Sequence, residues 1–189
     1  MPRANLSSLA VVSAAAELAD RDGFDAINIS ELARHFGVKP ASIYSHVRDR
    51  AAVTDGVHQL ALGELSDRIA AAIGGLSALD ALIAFAQSNR LYATERPGCW
   101  TALQRPASTE TVLSPQARRT ALQLVSVLQG YGLPETEIAH AARFVGATIN
   151  GYLTLDRVGA FDHRSPESET SWMRAIFAID TALRSWPVE

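Results

Sequence analysis

Two short helical patterns, divided by a glycine and restarted by a proline, constrain this chain more than any other feature. Asn28 stands at a helix start, Glu31 three residues on can reach back to its amide, and Ile27 and Leu32 hold the staple positions. The helix over 29–36 ends at Gly37. Only Val38 and Lys39 separate Gly37 from Pro40, which suits the first turn of a second helix over about 40–47. Ile43 and Val47, four apart, face inward against Leu32 and Phe36, while Lys39, Ser42, Ser45 and His46 are polar. Two short helices joined by about four residues form a helix-turn-helix whose second member can enter a DNA major groove.

The rest of the chain reads as helical too. There is no sustained period-two run of β-branched residues and no Asn-Gly or Asp-Gly pair set between two strand-like runs as a hairpin turn, whereas apolar residues recur at steps of three and four. A helix over 7–22 carries Leu9, Val12, Ala16 and Ala19 on one stripe and stops at Gly23. Asp49 caps a helix over 50–73, closed by Gly74 and Gly75, and another spans 78–95. Pro97, Pro106 and Pro115 bracket an irregular stretch with room for at most a short helix around 100–103. Helices over 116–131, 135–158 and 169–185 follow, with a polar linker at 162–168. The expectation is an all-α chain of about nine helices. An N-terminal helix-turn-helix domain occupies residues 1–50, and the helix over 50–73 links it to a C-terminal ligand-binding and dimerisation domain within 51–189.

Charge sharpens the reading. Seventeen basic against 20 acidic residues give a net charge of −3, which excludes a polycation that holds nucleic acid by bulk charge. Yet between Arg34 and Arg50 the basic residues are Arg34, Lys39, Arg48 and Arg50, and the only acid is Asp49. The acidic run Asp20, Asp22, Asp25 falls before the turn, on the side expected to face away from the groove. A single cysteine, Cys99, forbids an internal disulfide and fits a reducing compartment as a small apolar filler. No apolar run reaches the roughly 18 residues of a membrane span and no charged-then-apolar leader opens the chain, so a soluble cytoplasmic protein is expected.

The stretch Ile29-Ser-Glu-Leu-Ala-Arg-His-Phe-Gly-Val-Lys-Pro-Ala-Ser-Ile-Tyr-Ser-His-Val-Arg-Asp-Arg50 resembles the signature of the TetR (tetracycline-repressor-like) transcriptional regulators. Ala15-Ala-Glu-Leu-Ala-Asp-Arg-Asp-Gly-Phe24 is similar to the first helix of that family. The resemblance covers about residues 7–55 and implies a dimeric, ligand-responsive DNA-binding protein, with repression the family's common mode. It places groove contacts on Lys39, Ala41, Ser42, Ser45 and His46, and phosphate contacts on Tyr44 and Arg50, with Arg3 of the N-terminal arm brushing the backbone or minor groove. The sequence departs from the signature at Val47, where Phe is usual, at Arg50 in place of Lys, and at Lys39, where Ser or Thr would cap the helix. Residues 149–161 are similar, more loosely, to a motif of the subgroup whose C-terminal domain is named for Trp, His and Gly (WHG). Gly151 is kept and Asn150 replaces the His.

Trp172, Ile176, Ile179, Leu183 and Trp186 step by four and three, a seam of period 3.5. Ala142, Val145, Ile149 and Tyr152 repeat the steps one helix earlier. The expected use is a homodimer interface of two helices from each subunit, through Val145, Ile149, Tyr152, Trp172, Ile176, Ile179 and Leu183; the alternative is that both stripes fill the monomer's own core. A pocket for a small-molecule effector draws on Phe85, Asn89, Tyr92, Trp100, Leu103, Leu128 and Phe144, which would otherwise be ordinary core. Two other functions stand against the regulator: a helical small-molecule-binding or interaction protein without DNA binding, and an enzyme. The five histidines are dispersed without a His-x-x-x-His pair, and neither a Gly-x-Ser-x-Gly elbow nor a phosphate loop occurs. No catalytic residue, metal or cofactor is expected.

Overall fold

The computed structural model describes residues 6–163 and 165–187. Among them the chain forms ten α-helices and a 3-10 turn (Phe24–Ala26), with no strand. The helices are α1 (Ser8–Asp22), α2 (Ile29–Phe36), α3 (Pro40–Tyr44), α4 (Arg50–Ile73), α5 (Ala78–Glu95), α6 (Pro97–Leu103), α7 (Thr109–Val112), α8 (Pro115–Gln129), α9 (Glu135–Arg157) and α10 (Ser168–Arg184). The count exceeds the expected nine because the proline-bracketed stretch holds two short helices. Pro97 and Pro115 each open a helix, at positions where the missing N–H costs nothing. Ser108 caps α7 by accepting the Thr111 N–H at 3.2 Å.

The described residues divide into two compact units, those within Met1–Leu65 and Tyr92–Arg119, and those within Ser66–Leu91 and Thr120–Glu189. In the first, Val11, Ala15 and Leu18 of α1, Leu32 of α2, Ile43 of α3 and Val53 and Val57 of α4 are buried. The predicted caps at Asn28 and Asp49 form: Asn28 Oδ1 accepts from Glu31 N at 2.9 Å and Asp49 Oδ1 from Ala52 N at 2.8 Å. Ser7, expected as the first helical residue, is a further cap, its Oγ accepting from Ala10 N at 3.1 Å. The Glu31 carboxylate, expected to reach back to Asn28, instead pairs with Arg34 at 2.9 Å.

In the second unit, α9 and α10 lie side by side, closing on Val145, Ile149, Leu153, Trp172, Ile176, Ile179 and Leu183, all buried. Phenol and indole groups at the edges find partners. Tyr152 Oη donates to the Ser168 carbonyl at 2.7 Å, Tyr131 Oη to Asp180 at 2.8 Å, and Trp186 Nε1 to Glu137 at 3.0 Å. Tyr152 also stacks, tilted, on Trp172 at 5.2 Å between ring centres.

Six of the seven residues expected at a dimer face are buried within the single chain. Val145, Ile149, Trp172, Ile176, Ile179 and Leu183 are covered by their own chain, because a seam of period 3.5 zips two helices of one subunit as readily as helices of two. Tyr152 is half-buried with its hydroxyl already committed. The outward sides of the same helices carry other apolar groups: Phe144 (38% exposed), Leu155 (47%) and Phe177 (46%).

Candidate nucleic-acid interface

The turn between α2 and α3 is built on Gly37, whose φ of 64° lies in the left-handed region that side chains resist. Its amide bonds the Arg34 carbonyl at 3.1 Å and the next amide, Val38, returns to Ala33 at 3.0 Å, closing α2. Lys39 then occupies the N-cap of α3 in extended conformation without a side-chain cap, which leaves its ammonium uninvolved in the helix. Lys39 is also the only lysine in the sequence.

α3 is shorter than expected, Pro40–Tyr44 instead of 40–47. The amides of His46 and Val47 both bond the Ile43 carbonyl, at 2.9 and 3.1 Å, which tightens the chain into a turn directly after Tyr44. The division of faces nevertheless follows the sequence. Ile43 and Val47 are buried, Ser42 and His46 are half-buried, and Lys39, Ala41, Tyr44 (53%) and Ser45 are exposed. Ser8 Oγ, at the start of α1, donates to the His46 carbonyl at 2.6 Å and fixes the end of this turn.

Arginines near the turn have intramolecular partners. Arg34 pairs with Glu31, and Arg48 with Asp49 at 2.9 Å, which raises the Arg48 guanidinium. The Asp49 carboxyl is held below the ordinary range, first by the Ala52 N–H and then by Arg48. Arg50 Nε donates to the Ile27 carbonyl at 2.6 Å, with a second nitrogen 3.5 Å from the Asp25 carbonyl. The side chain expected to hold a phosphate therefore also ties α4 to the segment before α2. Arg3 lies outside the described residues.

The expected pocket residues are divided between the two units. Phe85, Asn89 and Leu128 are buried in the second unit. The Asn89 amide nitrogen turns back to the Phe85 carbonyl at 2.8 Å. Tyr92, Trp100 and Leu103 belong to the first unit. Phe144 stands on the outer flank of α9, 5.7 Å from the Trp186 ring, because the buried stripe of α9 runs through Ala141, Val145 and Ile149.

Sequence reasoning missed a polar joint in the first unit. Arg96 reaches Asp20 of α1 at 3.2 Å and Glu64 of α4 at 3.1 Å, and the Tyr92 hydroxyl donates to Glu64 at 2.8 Å. Burial and the neighbouring Cys99 and Glu64 push the Tyr92 phenol well above its ordinary range, so it remains a donor. Asp20, read with Asp22 and Asp25 as an acidic run facing away from the groove, is thus an internal partner of α6 and Arg96. Ser66 and Gln123, two polar groups buried in the second unit, were missed as well. The signal was present: Gln123 lies one turn before Val127 on the buried side of α8, a lone amide in an apolar stripe.

A short helix seated on its partner at a glycine turn, with its polar side outward, defines a helix-turn-helix DNA-binding protein. Residues 11–57 match the family model for bacterial regulatory proteins of the tetR family. Residues 82–179, over half of the chain, match the tetracyclin repressor-like C-terminal domain. The chain belongs to the TetR family of transcriptional regulators, and that family and the names of its relatives describe regulators, not enzymes. It is 27% identical over 184 residues to the uncharacterized HTH-type transcriptional regulator YobS of Bacillus subtilis, covering 96% of this chain and 93% of the relative. Identity is also 27% over 161 residues to the HTH-type regulator Rv0681 of Mycobacterium tuberculosis, covering 84% and 74%. Among solved structures, ActR of Streptomyces coelicolor in complex with (S)-DNPA superposes with a TM-score of 0.74 at 16% identity, covering 97% of this chain and all of that one. Among the described residues no helix is long and apolar enough to cross a membrane.

Proposed function

We propose that this protein is a cytoplasmic repressor that binds a pseudo-palindromic operator as a homodimer and is released by a small-molecule effector. The observation that carries the reading is the outward face of α3. Lys39, Ala41, Ser42 and Ser45 line one accessible surface over a buried Ile43, with Tyr44 and His46 at its edges. In this reading Lys39 and the two serines meet base edges or phosphates, Tyr44 meets a phosphate oxygen, and Arg50 adds a phosphate contact from the N–H groups that Ile27 does not take. Residues 1–50 form the DNA-binding part, the helix over 50–73 links it to the remainder, and 51–189 bind the effector and dimerise.

One short helix reads too few base pairs, so the operator needs two copies about a helical turn or a multiple of it apart. The dimer face of the proposal is the outer stripe of α9 and α10, through Phe144, Ala147, Gly151, Leu155 and Phe177. It is apolar and exposed, and a Cβ added at Gly151 would meet nothing within 4 Å. An effector that prefers the conformation unfit for DNA lowers operator affinity by its differential affinity for the two states, and by no more. The ActR complex with (S)-DNPA supports a ligand-bound state in this fold.

Selection of duplexes from a random pool tests the proposal. It expects two related half-sites in the bound sequences, retarded in a salt-dependent manner. The substitution Lys39→Glu should weaken that binding at least tenfold. Selected duplexes without symmetry, or wild-type affinity in K39E, would refute it.

A further inference from the structure

Every buried polar side chain among the described residues of the second unit is uncharged: Ser66, Ser88, Asn89 and Gln123. Two of the four are satisfied within their own helix, Ser88 by the Ala84 carbonyl at 2.8 Å and Asn89 by the Phe85 carbonyl at 2.8 Å. The other two meet each other's element. Gln123 Nε2 on α8 donates to the Ser66 carbonyl on α4 at 2.6 Å. That bond leaves Gln123 Oε1 and Ser66 Oγ without partners, although Ser66 is fully buried and Gln123 is 9% exposed.

Buried polar atoms are nearly always paired, because an unpaired one keeps the whole cost of leaving water. Ser66 could have bonded back to the preceding turn, as Ser88 does, and Gln123 could have turned outward from α8. Both instead stand together among apolar neighbours, Ile69 one turn along α4 and Val127 and Leu128 one turn along α8. An amide oxygen accepts only, whereas a serine hydroxyl donates or accepts. One hydroxyl carries the two functions this pair lacks, an O–H to donate to Gln123 Oε1 and an oxygen to accept from Ser66 Oγ. A charged group does not fit, because no buried charge in this unit would compensate it.

We propose that Ser66 and Gln123 are the polar anchor of the effector site, and that the effector is an uncharged, largely apolar alcohol or phenol. The inference rests on the reading of the protein as effector-controlled and deepens it by naming the ligand's chemistry.

The test uses full-length protein and three probes, 4-propylphenol, 4-hexylphenol and decan-1-ol, each beside its methyl ether and followed by thermal shift and calorimetry. The phenols or the alcohol should raise the apparent melting temperature while the matched ethers bind at least tenfold more weakly. The near-isosteric Gln123→Leu and, independently, Ser66→Ala should each weaken hydroxyl-probe binding at least tenfold, with the unliganded melting transition retained as the folding control. Equal binding of phenol and ether, or wild-type binding in both variants, would overturn the proposal. So would no probe binding together with a Q123L protein more stable than wild type, since the pair would then hold only water. Failure of the wild type to bind DNA would instead sink the regulator reading, and the binding results would stand apart from it.

Discussion

Asp20, on the last turn of α1, receives the first turn of α6: its Oδ1 accepts the Gly98 N–H at 2.8 Å and the Cys99 N–H at 3.0 Å. Approach this close depends on Gly98 having no side chain, since a Cβ there would stand 2.1 Å from the Ala19 carbonyl carbon and 2.2 Å from its oxygen. α1 carries Ser8, which fixes the turn after α3, so the helix that braces the proposed DNA-reading face is itself held at its other end by α6.

Gly98→Ala should therefore destabilise the protein by about 2 kcal/mol or more, because backbone cannot yield to a methyl group as a side chain can. Urea unfolding midpoints measure it. A change within about 0.5 kcal/mol, the range of an ordinary surface substitution, would show that α6 is not seated as described.

The Cys99 thiol is pushed up to about 11, first by burial and then by Asp20, against a smaller opposing effect of Arg96. The native protein should consequently react slowly with iodoacetamide at pH 7.5 and rapidly once unfolded. The sign for stability follows: the neutral thiol is favoured by folding, so its contribution is complete below the ordinary thiol range and is lost as pH rises toward 11. Rapid native alkylation would contradict the burial.

His58 is buried on α4, and burial lowers its pKa from 6.5, with Asp55 opposing weakly. Unfolded chains take up the proton first, so stability is complete above pH 6.5 and falls as pH drops below it. Replacing His58 by Leu should flatten that part of the stability profile between pH 7 and 5. An unchanged acid slope would place the dependence elsewhere.

Substitutions on α9 and α10 separate the core stripe from the outer one. Ile176→Ala should cost about 2–5 kcal/mol in unfolding free energy by opening a cavity. Leu155→Asp or Phe177→Asp should leave the melting transition nearly unchanged and shift the protein from dimer to monomer in light scattering. A dimer that survives both aspartates would exclude the outer stripe as its interface.

Much of this molecule could be read from local rules. Asn28, Gly37, Pro40 and Asp49 mark helix ends by capping and backbone chemistry that acts within a few residues, and all four do so here. The period-3.5 seam was equally visible, but periodicity reports only that Ile176 and Ile179 face an apolar partner, not whose helix supplies it. The joint of Asp20, Glu64 and Arg96 was illegible for a related reason. Its members are separated by dozens of residues, and only the tertiary approach at Gly98 brings them together. The early stop of α3 at Tyr44 likewise depends on the shared Ile43 carbonyl, a detail that propensity does not carry.

Because Lys39 is the only lysine, reductive methylation with 13C-formaldehyde places one side-chain NMR probe on the proposed DNA-reading face, apart from the N-terminal amine. Titration with a duplex recovered by selection should shift or broaden the Lys39 methyl signal in step with binding, and added salt should restore it. A duplex that binds while this signal stays unmoved would contradict the assignment of α3 to the groove.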